Sequence, residues 1–391
     1  MNFANSIFDI KDNQAQEDAR QTNGSVGTII PRLWLRPKEL NSEISSSPLF
    51  RLFMGKRSSD SAKISLRAFE VYKNMLIFRK DTFDSKIKGI LPLERLRISF
   101  EPLECEDANI PASIFAFKLT AVRDGRFTAM YVRTREDMEM LKQALWGQVI
   151  NTNLYEDFRI NEKIGSGGFG KVFRMTRISD ERKFAGKAFS KAQLLSKLRG
   201  KSSLFNEISL MRSLDSKNFV KIEAVYETER SVYLIMELLE GGEIFSRFPQ
   251  NRLSSQETKH LVRSLIQAVC ELQARNIIHR DIKPSNIMLK YSNRELADSE
   301  LKLIDFGLST LADSSGHNLF SICGTPGFIA PEIARLTKES MDTITPAYLS
   351  NCDVFSVGTI MFYLLTGEIP FQGDSFQEVL SSNKKGTINW D

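Results

Sequence analysis

Cysteine is scarce in this 391-residue chain, and the four present, Cys105, Cys270, Cys323 and Cys352, show no spacing that would build a zinc site or a disulfide framework. Reduced thiols and a cytoplasmic setting are the expectation. Long apolar runs are lacking as well: the longest, residues 357–366, falls far short of the roughly 20 residues that a membrane-spanning helix needs. Nor does the N-terminus carry the basic region and apolar core of a secretory leader. Charge of one sign is not in excess, because 53 Lys and Arg are interspersed with 48 Asp and Glu for a net +5, and nothing in that balance calls for nucleic acid. What is plentiful is apolar material, 42% of the residues, enough to fill the cores of two domains in a chain of this length.

The densest chemistry lies between residues 279 and 307, where His279-Arg280-Asp281-Ile282-Lys283-Pro284-Ser285-Asn286 is followed by Asp305-Phe306-Gly307. These residues supply a complete phosphoryl-transfer set. Asp281 can accept the proton of an attacking hydroxyl, Asn286 and Asp305 can hold magnesium against nucleotide phosphates, and Lys283 can neutralise charge on the γ-phosphoryl group. In this order and spacing the segment resembles the eukaryotic protein kinases, and the Lys283-Pro284-x-Asn286 form resembles their serine/threonine branch.

Upstream, Gly165-Ser166-Gly167-Gly168-Phe169-Gly170-Lys171-Val172 matches the glycine-rich loop of that family, in which missing side chains let backbone N–H groups approach a triphosphate. Two other phosphate loops fail locally. Val172 stands where a Walker loop needs a hydroxyl, and residues 172–175 read as strand where a dinucleotide fold needs a helix. The resemblance then implies roles residue by residue. Lys187 would reach the α- and β-phosphates of ATP with Glu207 as its partner, and Val172, Ala185 and Met288 would sandwich adenine. Met236 would be the gatekeeper of a hinge continuing through Glu237 and Leu238.

Glu243 matches a position that receives an upstream basic residue of the substrate, although a first-turn Glu complementing a helix N-terminus reads equally well. Arg280 would receive a phosphate added to the activation segment by an upstream kinase. Ser321 fits that position best, with Ser309, Thr310, Ser314 and Ser315 as competitors. Thr325 would touch Asp281 and Lys283 and favour Ser or Thr as acceptor, and Asp353 would hold the backbone of the catalytic loop.

The rest of the chain is read from texture. Residues 1–46 are polar and read as a disordered leader with one apolar interruption around Trp34. Residues 47–150 offer seven strand candidates (49–54, 64–72, 75–78, 87–93, 96–100, 114–122, 127–133) and a helix over 134–149 with Met138, Leu141, Leu145 and Val149 on one face. Seven strands closed by a helix resemble a pleckstrin-homology domain, which implies a capped barrel and either a phosphoinositide or a protein as ligand. Lys56, Arg57, Lys63 and Arg67 are the available cations, but Ser65 breaks the basic triplet that lipid-binding members carry, which favours a solvated loop or a protein partner.

Residues 151–157 read as a short linker, and 158–391 as the kinase-like region. That region ends earlier than the resemblance implies, leaving Glu332 without its usual Arg partner and part of a large-lobe core open. The expected fold class is therefore α+β: a two-lobed kinase fold, closest to the calcium/calmodulin-dependent group, preceded by a small barrel. The expected function is ATP- and Mg2+-dependent phosphorylation of protein substrates in the cytoplasm, with peripheral membrane recruitment if the barrel binds lipid. A non-catalytic scaffold is the rival.

Overall fold

A computed structural model describes residue 7 and residues 47–57, 64–103, 115–123, 126–167, 170–197, 200–247, 253–312, 323–336 and 351–388. Ser321, Trp34 and Cys105 lie outside the described residues, as do Ser314, Ser315, Lys63 and residues 168–169 of the glycine-rich loop. The chain forms two compact units. One holds residues 1–182, 186–194 and 223–235; the other holds residues 183–185, 195–222 and 236–391. Among the described residues no helix is long and apolar enough to cross a membrane.

The first unit is dominated by β-structure. Strands β1 (Phe50–Arg57), β2 (Ile64–Val71), β3 (Met75–Arg79), β4 (Ile87–Pro92), β5 (Arg97–Pro102), β6 (Phe117–Arg123) and β7 (Arg126–Val132) lie close to the sequence-based expectations. Helix α1 (Arg135–Leu145) starts where Thr134 accepts the Asp137 N–H. It presents Met138, Leu141 and Leu145 to a core containing Leu52, Phe69, Leu91, Leu119 and Met130. The helix is four residues shorter than expected at its C-terminal end, because the chain turns through residues 146–149 into β8 (Ile150–Asn151).

After α2 (Leu154–Asp157) come β9 (Phe158–Gly167), β10 (Gly170–Arg177), β11 (Lys183–Ser190), α3 (Lys191–Ser196), β12 (Ile222–Glu227) and β13 (Ser231–Glu237). All thirteen strands join one sheet in the order β4-β3-β2-β1-β7-β6-β5-β8-β12-β13-β11-β10-β9. The seven strands expected as a capped barrel keep the contiguous order β4-β3-β2-β1-β7-β6-β5 within this larger sheet. The outer edge of β5 is taken by β8, which pairs in parallel with β5 through Arg97↔Ile150 and with β12 through Val225↔Ile150. Residues 151–157, expected as a plain connection, contribute Asn151 to this sheet and then form α2.

Side chains reinforce the junction. Trp146 Nε1 donates to the Tyr226 hydroxyl at 2.8 Å, which donates in turn to Asp157 Oδ2 at 2.7 Å. Phe158 stacks on the Trp146 ring and meets Tyr226 edge-on. Beside them Glu227, only 6% exposed, faces Lys191 Nζ at 2.9 Å and Arg97 Nε at 3.8 Å and accepts the Ile7 N–H. Burial and the neighbouring Asp157 carboxylate push the Tyr226 phenol far above its ordinary range.

The second unit is mainly helical: α4 (Gly200–Ser213), α5 (Ile244–Arg247), α6 (Ser255–Gln273), α7 (Pro331–Ala334), α8 (Cys352–Thr366) and α9 (Phe376–Lys385). Helix α6 opens with a capping box in which Ser254 and Glu257 satisfy each other's backbone N–H groups. Short ladders β14 (Gly242–Glu243)-β16 (Ile287–Leu289)-β17 (Leu301–Leu303) and β15 (Ile277–Ile278)-β18 (Thr310–Leu311) carry the loops that matter for chemistry. On α8, Val354, Met361 and Leu365 form an exposed apolar stripe.

Candidate active site

The catalytic loop lies between β15 and β16, and Asp305 follows β17 by two residues. Pairing of Ile287 with Leu303, together with the Ile304 N–H donating to the Asn286 carbonyl at 2.9 Å, brings Asn286 beside the approach to Asp305. Two non-glycine residues here, Arg280 (φ 67) and Asp305 (φ 62), hold left-handed backbone. Such conformations persist only where the surroundings over-determine them.

The surroundings are identifiable. Asp353 at the start of α8, 1% exposed, accepts the His279 N–H at 2.7 Å and the Arg280 N–H at 2.9 Å. Its burial pushes its carboxyl pKa up while those two donors and the His279 and Arg280 charges pull it down. His279 is fully buried, and that burial holds its imidazole below its ordinary pKa. Its Nδ1 accepts the Asp281 N–H, so the ring proton sits on Nε2, which faces the Ile304 carbonyl. Phe306 packs edge-on against His279 and Phe219, at 5.1 and 6.0 Å between ring centres.

Around Asp281 the side chains form a closed set. The Thr325 hydroxyl donates to Asp281 Oδ1 at 2.7 Å and accepts from Lys283 Nζ at 2.8 Å. Lys283 Nζ also lies 2.8 Å from Asp281 Oδ2, and Asn286 Nδ2 donates to that same oxygen at 3.1 Å and to the Asp281 carbonyl at 2.8 Å. Both carboxylate oxygens are thus held in place. Asn286 spends its amide N–H groups on Asp281, which leaves its carbonyl oxygen, with the Asp305 carboxylate, as a hard oxygen donor set suited to Mg2+. Among the described residues no group of three His, Cys, Asp or Glu side chains could hold a metal, so an ion here would complete its shell from phosphate and water.

The other sequence-predicted residues fall as follows. In the first unit, Gly167 pairs with Gly170 and Gly165 with Val172 across the β9-β10 hairpin. Gly170 is required by packing alone, since a Cβ there would stand 2.3 Å from the Ala188 carbonyl oxygen, whereas at Gly165 the nearest atom would be at an ordinary 3.7 Å. Val172 is half-buried, and Lys187 is buried on β11. In the second unit Glu207 is 2% exposed on α4, and Ala185 is buried.

Met236, Glu237 and Leu238 are half-buried, and Met288 faces Glu243 and Lys302 across its ladder. Glu243 itself is exposed. Arg280 Nε donates to the Leu308 carbonyl at 2.6 Å.

Two arrangements were not foreseen from sequence. Lys302, 4% exposed, joins Glu237 at 2.9 Å and donates to the Phe219 carbonyl, while Glu237 also accepts the Lys221 N–H. The Glu237 N–H is spent on the Lys221 carbonyl. Secondly, Asn383 of α9 is fully buried and reaches the backbone at Gly327 and Ile329. Neither has a sequence signal, because each partner lies tens of residues away.

Comparison with known proteins adds the family. The protein kinase domain model matches residues 158–390. The chain is 33% identical over 247 residues to calcium/calmodulin-dependent protein kinase type 1 of Caenorhabditis elegans, covering 63% of this chain and 66% of that protein. It is also 33% identical to calcium-dependent protein kinase 5 of Plasmodium falciparum over 62% of this chain and 40% of that protein, and to calcium-dependent protein kinase SK5 of Glycine max over 58% and 43%. The chain thus spans under two thirds of these curated relatives.

Proposed function

The chain belongs to the protein kinase family, and from that premise we propose that it transfers the γ-phosphoryl group of ATP to serine and threonine hydroxyls of protein substrates. The observation that carries this reading is the closed set Asp281, Thr325, Lys283 and Asn286, which fixes one carboxylate in a single orientation without a buried orphan among its members. Asp281 orients the acceptor hydroxyl and takes its proton as the oxygen attacks phosphorus. Lys283 offsets the charge spread over the transferred group.

Asn286 and Asp305 would hold magnesium, which when bound draws charge from the phosphate oxygens. Lys187 neutralises the α- and β-phosphates, and since the Glu237 N–H is already spent, hydrogen bonding of adenine to that residue falls to its carbonyl. Catalysis by such a set is positioning plus charge stabilisation. Glu243, exposed, is proposed to receive a basic residue upstream of the acceptor, and Arg280 a phosphate on Ser321 delivered by another kinase.

We further propose that residues 47–150 are a pleckstrin-homology-like module serving a protein partner in the cytoplasm. In support, Lys56 lies over the Phe78 ring at 4.4 Å, and burial, followed by the charge of Arg67, lowers its pKa, which does not suit a strong phosphate receiver.

The test of the activity is transfer of labelled phosphate from ATP with Mg2+ to a basic Ser/Thr peptide. Asp281→Asn should lower kcat by about 10²–10⁴-fold with little change in the ATP constant. Equal transfer by parent and variant, or none by the parent, would exclude it and favour the scaffold role.

A further inference from the structure

Helix α9 has one buried residue, and it is polar: Asn383, at 0% exposure. A buried amide is costly unless its donor and acceptor are both used. Here both are. Oδ1 accepts the Gly327 N–H at 2.8 Å, and Nδ2 donates to the Ile329 carbonyl at 2.7 Å, which also fixes the orientation of the amide. The two bonds bracket Phe328, whose carbonyl accepts from Ser356 Oγ of α8 at 2.9 Å. Three consecutive residues outside any ladder are therefore held by side chains from two helices.

The bracketed segment borders the reactive carboxylate. Thr325, two residues before Gly327, carries the hydroxyl that holds Asp281 Oδ1, and one small cavity is lined by Asp281, Thr325, Phe328 and Ile329 together. A peptide whose hydroxyl reaches Asp281 through that cavity has this backbone as one of its walls. Gly327 (φ +92) tolerates no side chain without strain, so that residue brings no side-chain anchor of its own and its backbone N–H is held by Asn383. The helix that supplies them is itself fixed, with Leu380 packed on the Ile329–Ile333 cluster and Arg335 Nη2 donating to the Lys385 carbonyl.

We propose that Asn383 is a positioning residue for the peptide substrate, setting the backbone of residues 327–329 on which the peptide lies beside its acceptor. This rests on the kinase reading above.

The experiment uses the full chain and measures separate constants for a basic Ser/Thr peptide and for ATP in the parent, Asn383→Ala and Asn383→Asp, between pH 5 and 8. A protonated Asp reproduces the amide, donating to Ile329 and accepting from Gly327; once ionised it loses the donor, and burial places that ionisation above the ordinary carboxylate range. The peptide KM of Asn383→Asp, relative to the parent at each pH, should approach one at the acid end and rise about tenfold, the order of one hydrogen bond, toward neutrality. The ATP constant should stay level.

Asn383→Ala should raise the peptide KM at every pH and speed hydrogen exchange at the Gly327 amide. An active parent with unchanged peptide constants in both variants overturns the inference alone. So does a parallel shift of peptide and ATP constants, which marks a general loss of fold. A parent with no phosphate transfer to any peptide overturns the kinase reading and this inference with it.

Discussion

Tyr226 shows how a single phenol can carry a junction. It accepts from Trp146, donates to the partly buried Asp157 and rests edge-on against Phe158. Tyr226→Phe should cost about 1–3 kcal/mol, because an indole N–H loses its acceptor and a carboxylate its donor. The pH dependence has a definite sign. The folded phenol has its pKa raised above the usual value of about 10, so as pH climbs the unfolded chain releases this proton first. The stability it contributes is complete below about pH 10 and is lost above it. Melting temperatures of parent and variant should therefore converge from about pH 10 upward; a gap that stays constant would contradict this.

Residues of this kind were invisible in the sequence, whereas Asp281, Asn286 and Asp305 stood out by their spacing, and the structure brings Asn286 to Asp281 and beside the approach to Asp305. Asn383 and Lys302 perform chemistry that any surface Asn or Lys could mimic on paper, and only their burial sets them apart.

Among elements, those with a strong local signal were readable. Most of the seven N-terminal strands alternate apolar and polar residues or run apolar, and α1 is announced by Thr134 and its acidic first turn. Strand β8, two residues long, has no periodicity to read, yet it decides the architecture by taking the edge of β5. What secures it includes the Glu227 cluster, with Arg97 at 5% exposure and Lys191 close by. Glu227→Ala leaves two cations without their buried counter-charge and should cost about 3–5 kcal/mol in chemical denaturation. The exposed pair of Arg159 and Glu181 is the control, and Arg159→Ala should cost less than about 1 kcal/mol. Comparable losses at the two places would refute the contrast.

For the whole molecule, the sequence suggested a capped barrel joined by a short connection to a kinase region, and the structure puts the strands of both into one hydrogen-bonded order of thirteen. Texture could not reveal this, since pairing of Ile150 with Val225 spans a distance in sequence that no local pattern encodes. Strands that share a ladder and a buried junction should open together. Amides of β6 and β12 are expected to show the same free energy of opening in native-state hydrogen exchange; much earlier exchange of β6 would mean that the β1–β7 layer unfolds by itself.

The same parallel pairing has a consequence in time. As the chain is synthesised, β8 can dock on β5 as soon as Asn151 is clear of the ribosome, but β12 ends at Glu227. At ~5–20 residues per second that leaves one edge of β8 open for about 4–15 s. An open strand edge is a template for other chains. The interval makes the junction, rather than the catalytic loop, the place where crowding on a polysome would divert this protein into aggregates, and slower translation of residues 152–227 would lengthen the risk.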